Sequence, residues 1–201
     1  MTKWIEHPTR LVGETVELWP LERSHYDNLK ALATPREIWE FYTFDGNNPD
    51  RLTEVLDATL ADRDLRLQYP FVIYHRSEQK IIGNTRLMDI QVHNRKLEIG
   101  GTWLHPNYWS TEVNPECKLL LLAFCFEQLK GVRVQLKTDE NNWRSRKAIL
   151  KIGAQFEGVL RHDMIRDNKS FRNSAYFSIL DSEWPAVRQA LTALYESRSR
   201  K

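Results

Sequence analysis

Phosphate oxygens are the chemistry to which the stretch HPNYWSTEVNPECKLLLLAFCFEQLK, residues 105–130, is best suited. Asn114 is a favoured helix N-cap, and Pro115 fits the first helical position, where a missing backbone N–H costs nothing. Glu116 adds a negative charge to the first turn, and nine of the ten residues from Cys117 to Phe126 are apolar, Lys118 being the exception. A helix apolar nearly all round is buried. The unpaired N–H groups at its start, at the positive end of its dipole, would face an anion. A second polar start lies at Asn142, with Ser145 three residues on and Arg144, Arg146 and Lys147 around it. Asn142 reads locally as an N-cap and Ser145 as a first-turn serine, while the three cations form either a solvated face or a phosphate-neutralising one. The aromatic run Ile38, Trp39, Phe41, Tyr42, Phe44 offers either core or a ligand wall.

The elements that must position these groups follow from periodicity. Val16 to Pro20 predicts a strand, and Ser24 an N-cap opening a helix to about Ala33, ended by Thr34-Pro35. Asp45 to Pro49 is a turn, and Thr53 is expected to cap a second helix to about Asp64. Phe71 to Tyr74 and Ile81 to Ile90 form a hairpin, followed by a strand at Lys96 to Leu104. In that last strand Leu97 and Ile99 face one way and Glu98 the other, with Gly100-Gly101 marking a bulge or a close backbone approach. Gly131 stops the buried helix, and Val132, Val134 and Leu136 alternate as a strand. A helix from Asn142 to about Lys151 stops at Gly153, strands span Phe156 to Ile165 and Ala175 to Leu180, and Glu183 to Glu196 closes the chain as a helix.

Length and charge exclude several classes. At 201 residues and 41% apolar, the chain suits one domain with a sizeable core. Twenty-nine Lys and Arg against 27 Asp and Glu leave a net charge of +2, too balanced for a nucleic-acid binder. No apolar run approaches the ~20 residues of a membrane span and no secretory signal opens the chain, so a cytoplasmic location is the default expectation. Cys117 and Cys125 lie ~12 Å apart along one helix and cannot bridge each other. The six histidines show no metal-ligand spacing, and no metal is expected.

The order strand, two helices, three strands, helix, strand, helix, two strands resembles the GCN5-related N-acetyltransferase (GNAT) fold. The phrases LEIGGTWLHPNYW, VNPECKLLLLAFCFE, KTDENNWRSRKAILKIGAQFEGVLR and YFSILDSEWP are similar to the branch containing the ribosomal-protein alanine acetyltransferases. The resemblance spans roughly residues 10–190 and is specific for the family, not for a substrate. It implies an α/β fold of the α+β type in a single domain over 1–201, with a mixed, mostly antiparallel, splayed central sheet flanked by helices. It implies acetyl-CoA as co-substrate and direct attack by a primary amine, from a protein N-terminus or a small molecule. Homodimers are common in the branch, so self-association is expected.

Site residues follow by position. Trp103 and Leu104 would offer backbone groups to the pantetheine and acetyl carbonyl. Trp109, Ser110, Thr111, Val113 and Asn114 would hold the pyrophosphate, Asn142 the pantetheine arm, and Ser145 would lie near the sulfur as proton donor. Glu98 matches the Glu of the family's Glu-Ile-Gly phrase and would deprotonate the amine directly or through water, its alternative being an ordinary strand carboxylate or substrate anchor. Trp39 and Tyr42 would line the acceptor cleft. One departure stands out: Glu112 occupies the place of the family's central loop glycine, where a side chain would obstruct the backbone or repel phosphate. Its consequence is either a reshaped loop that still binds, or a non-catalytic ligand-binding or regulatory domain of the same fold.

Overall fold

A computed structural model describes residues 4–200. Eight strands form one sheet in the order β1-β2-β3-β4-β5-β6-β8-β7. They are β1 (Leu11–Val12), β2 (Val16–Pro20), β3 (Tyr69–His75), β4 (Lys80–Gln91), β5 (Lys96–Leu104), β6 (Arg133–Asp139), β7 (Gln155–Ile165) and β8 (Phe171–Leu180). The helices are α1 (Tyr26–Leu32), α2 (Pro49–Asp64), α3 (Val113–Ala123), α4 (Trp143–Lys151) and α5 (Trp184–Ser199). Every neighbouring pair of strands is antiparallel except β5 with β6. This is the mixed, mostly antiparallel sheet flanked by helices that the family resemblance implies. No described helix is long and apolar enough to cross a membrane.

Two cores cover the two faces of the sheet. On one face α3 (Val113, Cys117, Leu121, Leu122) and α5 (Trp184, Val187, Leu191) pack over inward residues such as Leu18, Phe71, Leu97, Ile99, Val134 and Phe177. On the other, α1 and α2 with Ile38 and Trp39 pack over Val72, Ile81 and Trp103. The second core reaches only as far as β5, so the same face of β6 and β8 is left to polar side chains.

Several element ends differ from expectation. Ser24 lies inside a 3-10 turn, Arg23–His25, that precedes α1; Glu22 caps it, with the His25 ring accepting the Glu22 N–H. Helix α2 starts at Pro49, with Asn48 capping the N–H groups of Asp50 and Arg51, so Thr53 is interior and bonds the Pro49 carbonyl. Helix α3 opens earlier than predicted: Glu112 is its cap residue, and Asn114 and Pro115 are the second and third helical residues. Proline is tolerated there because first-turn N–H groups have no intrahelical partner. The other end of α3 widens into a π-helical turn, Phe124–Gln128, and the left-handed residue that stops it is Lys130 (φ 55°), not Gly131.

Glu116 stands in the first turn of α3, as expected, and has further partners that the sequence did not show. It is buried, and its carboxylate accepts N–H groups from Glu14 (2.6 Å), Thr15 (2.9 Å) and Val16 (2.8 Å). From that first turn its carboxylate ties the β1–β2 turn to α3. Both cysteines are buried and unbridged, and burial pushes the Cys117 thiol up to about 12, as expected of small core residues.

Candidate active site

The site begins where β5 and β6 stop pairing. Their parallel register covers only Lys96, Leu97 and Glu98 against Arg133, Val134 and Gln135. Beyond it β5 stays on β4 as far as Leu104, and β6 stays on β8 as far as Asp139, so each strand keeps its outer neighbour and loses the inner one. The glycines at 100 and 101 help produce this. The β4–β5 register slips by one residue between Arg86↔Gly100 and Asn84↔Trp103, and Gly101 takes φ 54°. One extra residue reverses the side-chain alternation: Leu97 and Ile99 enter the first core, Trp103 the second, and Leu104 the first again. The resulting cleft has a volume of about 520 Å³ and is lined by Glu98 to Leu104 on one side and Leu136 to Thr138 on the other.

At one end the cleft meets the turn before α3. Ser110 carries the positive φ (66°) of that turn. Glu112 is in the ordinary right-handed region (φ −70°, ψ −17°) and is not among the lining residues. The side chain at 112 therefore neither strains the backbone nor occupies the cleft. Thr111 Oγ1 bonds the Tyr108 carbonyl and accepts the Val113 N–H, whereas no acceptor among the described residues meets the N–H of Ser110, Thr111, Glu112 or Asn114. Of these four free amides, those of Ser110 and Asn114 belong to residues that line the cleft, a turn and helix start suited to an anion. Cations surround it: the Arg144 guanidinium lies 3.7 Å over the Trp109 ring, and Arg198 reaches from α5 to the Thr111 carbonyl (2.8 Å). Arg144, Lys147, Lys151 and Arg198 all line the cleft, while Arg146 turns away to the Glu140 carbonyl.

Glu98 sits at the vertex where β5 and β6 part. It is 2% exposed, so its chain position on a strand did not make it a surface carboxylate. Gln135 donates to it at 2.7 Å and the Lys137 ammonium is 3.7 Å away. Burial pushes its pKa up, and Lys137 and the Gln135 hydrogen bond offset that only in part. A carboxylate so placed is a stronger base than a solvated one. Lys137 is shared with Asp163 and lies over the ring of Tyr176, whose hydroxyl donates to Asp163.

Across the cleft, Asn142 caps α4, its Oδ1 accepting the Ser145 N–H at 3.0 Å. That leaves the Asn142 amide NH2 and the Ser145 hydroxyl without protein partners among the described residues, and both residues line the cleft. Tyr42 lines it too, donating to the Thr102 carbonyl at 2.9 Å. Trp39 does not: it is buried against Trp103 and donates to the Ala33 carbonyl. Thr111 and Val113 also lie behind the lining, Val113 in the core. Glu98, Trp103, Leu104, Trp109, Ser110, Asn114, Asn142, Ser145 and Tyr42 are thus gathered around one opening. Trp103 can offer it only backbone, because its ring belongs to the second core.

The lining side chains not singled out as site residues from the sequence include Lys118, Arg86 and Arg172. Lys118 is buried on α3 and donates to Thr102 Oγ1 (3.0 Å); burial pulls its pKa down to about 8. Its signal was visible as the one charge in an apolar run. Arg86 and Arg172 lie among otherwise apolar or small strand residues, and nothing in the alternation separates a ligand-facing arginine from a solvent-facing one.

A family model described as an acetyltransferase (GNAT) domain matches residues 15–155. "Probable N-acetyltransferase YjcK" of Bacillus subtilis is 24% identical over 183 residues, covering 86% of this chain and 98% of that protein. Among solved structures, a GCN5-related N-acetyltransferase from Brucella melitensis superposes with a TM-score of 0.85 at 26% identity, covering 94% of this chain and 86% of that one. Mycobacterium smegmatis RimJ, solved in complex with CoA-disulfide, shares the fold with a TM-score of 0.78 at 18% identity, covering 96% of both chains.

Proposed function

The chain belongs to the GNAT acetyltransferase family, and from that membership we propose that it transfers the acetyl group of acetyl-CoA to a primary amine by direct attack. The observation that carries the reading is the meeting, in one cleft, of the anion-suited helix start at Ser110 and Asn114 and a buried carboxylate at the β5–β6 vertex. Acetyl-CoA supplies an activated acyl group and a diphosphate handle. The free amides and the cations Arg144, Lys147 and Arg198 fit the handle, and the unpaired strand edges of β5 and β6 fit an extended amide-bearing arm.

Within that frame each residue has a task. Glu98 takes a proton from the incoming ammonium, directly or through a water, leaving the nitrogen lone pair free. The amine then forms the C–N bond as the C–S bond breaks; the departing thiolate takes a proton for which the Ser145 hydroxyl is the candidate donor, and the second proton, which the nitrogen sheds on becoming an amide, restores that hydroxyl. Backbone groups of Trp103 and Leu104 orient the carbonyl. The relative solved with a CoA disulfide supports the choice of cofactor. Isothermal calorimetry with acetyl-CoA, followed by a labelled-acetyl assay over amines and peptides, tests the reading. Micromolar binding and acetyl transfer to an amine are expected; no binding at millimolar acetyl-CoA would overturn it.

A further inference from the structure

On the acceptor side of the cleft the sheet face beyond α2 carries two guanidinium groups that make no contact ion pair among the described residues, although carboxylates stand near both: Glu98 and Asp62 near Arg86, Asp139 and Asp163 near Arg172. Arg86 lies opposite Gly100 in the β4–β5 register, and Glu98 lies opposite Met88, so Arg86 and Glu98 are diagonal neighbours on one face, their side chains starting on the order of 7 Å apart or less. Arg86 donates to Thr59 Oγ1 at 2.7 Å and makes no contact ion pair among the described residues; its Nε is shut off from solvent and has no partner among them. Arg172 on β8 makes neither an ion pair nor a side-chain hydrogen bond among the described residues, and its Nε is likewise buried and unpartnered. Both line the cleft with Glu98 and Tyr42.

Neighbouring charges show that this is not the rule nearby. Lys137 is matched by Glu98 and Asp163, Arg166 by Asp139, and Arg51 by Asp167. A guanidinium whose Nε is buried without an acceptor and whose carboxylates are not in contact keeps donors to spare, which a ligand anion would satisfy. The backbone is also shaped to admit Arg86: a Cβ at Gly101 would stand 2.3 Å from its Nε.

We propose that the acceptor amine carries an oxyanion, a carboxylate in the simplest case, which Arg86 and Arg172 grip while Glu98 receives the proton of the ammonium group. The inference rests on the acetyl-transfer reading and narrows it to small zwitterionic acceptors of the amino-acid or aminophosphonate type. In such a molecule the amine and the anion are a few bonds apart, the scale set by the Glu98–Arg86 diagonal. Arginine's planar fork suits either oxyanion, by two parallel hydrogen bonds.

The test uses matched pairs with acetyl-CoA: each amino acid against its carboxamide, and each aminoalkylphosphonate against the corresponding alkylamine. The anionic member should have the higher kcat/KM by about tenfold or more, the range of a charge-assisted hydrogen bond. A preference for carboxylates over phosphonates, or the reverse, identifies the source of the oxyanion. Arg172→Met should collapse the ratio toward one, and Arg172→Lys should restore part of it, with thermal melts confirming that both fold. Carboxamides used as well as acids, or a ratio that Arg172→Met leaves unchanged, would overturn the proposal while leaving acetyl transfer standing. If no amine is acetylated, the same pairs are titrated calorimetrically into CoA-saturated protein: acids binding where amides do not upholds the oxyanion site alone, and no binding of acids rejects it.

Discussion

Glu98 is asked to be buried and to be a base, and these demands pull in the same chemical direction but cost stability. Because its folded-state pKa is raised, its ionisation is unfavourable to folding: the cost is absent below the unfolded carboxylate pKa and complete once pH has passed the raised value. Glu98→Gln removes that cost and the base together. The variant should melt no lower than wild type at pH 7 to 8 in calorimetry, while kcat falls by ~100-fold or more. In wild type, kcat/KM should rise as pH passes up through the raised Glu98 pKa, and that limb should vanish in the variant. Lys118 gives the mirror case. Its pKa is lowered from 10.5 to about 8, so its protonation opposes folding, fully below about pH 8 and not at all above 10.5. Lys118→Met should raise Tm by ~2–4 °C at pH 6.5, and this gain should fade by pH 10.5. The same variant should raise KM for acetyl-CoA, since the amine lines the cleft beside Thr102.

At the scale of the element, the turn before α3 decides whether the departure from the family's glycine pattern matters. The left-handed residue there is Ser110, and position 112 is an ordinary right-handed helix cap outside the cleft. Glu112→Gly should therefore leave acetyl-CoA affinity within about threefold in calorimetry; a gain of tenfold would show that the side chain obstructs binding. From the sequence, the turn, the apolar run of α3 and the Asn142 cap were all legible, because each rests on a local rule of capping or periodicity. The start of α3 was not, because Pro115 is tolerated at the first turn generally and does not mark one position in it. The π-helical turn at Phe124–Gln128 has no periodic signature in five apolar or polar residues. Glu116 was legible as a first-turn carboxylate, but its hydrogen-bond partners were not, because they lie about a hundred residues away in the β1–β2 turn.

For the molecule as a whole, the acceptor side is assembled from chain segments far apart, and one contact joins them. Asp167, in the turn between β7 and β8, receives two hydrogen bonds from Arg51 at the start of α2, both 2.9 Å, and its N–H bonds the Thr43 carbonyl at 2.8 Å. Thr43 follows Tyr42 and lines the cleft with Met164 and Arg172, so the clasp fixes the segment that carries one wall to the hairpin that carries the other. Both partners are partly exposed, with side-chain exposures of 38% and 47%, which limits the pair to ~1 kcal/mol or less of stability. Asp167 is held below the ordinary carboxylate range by Arg51, so what stability the pair contributes is present above the unfolded carboxylate pKa and is lost as pH falls. The clasp should matter more to acceptor binding than to folding. Arg51→Ala is expected to shift Tm by under ~3 °C, to leave KM for acetyl-CoA within about twofold, and to raise KM for the amine several-fold. Raising salt should reproduce part of the rise in wild type and none of it in the variant, because only wild type has the pair to screen. Equal increases in both KM values would instead place the clasp's effect on the whole sheet, and an unchanged amine KM would show that the two walls hold their positions without it.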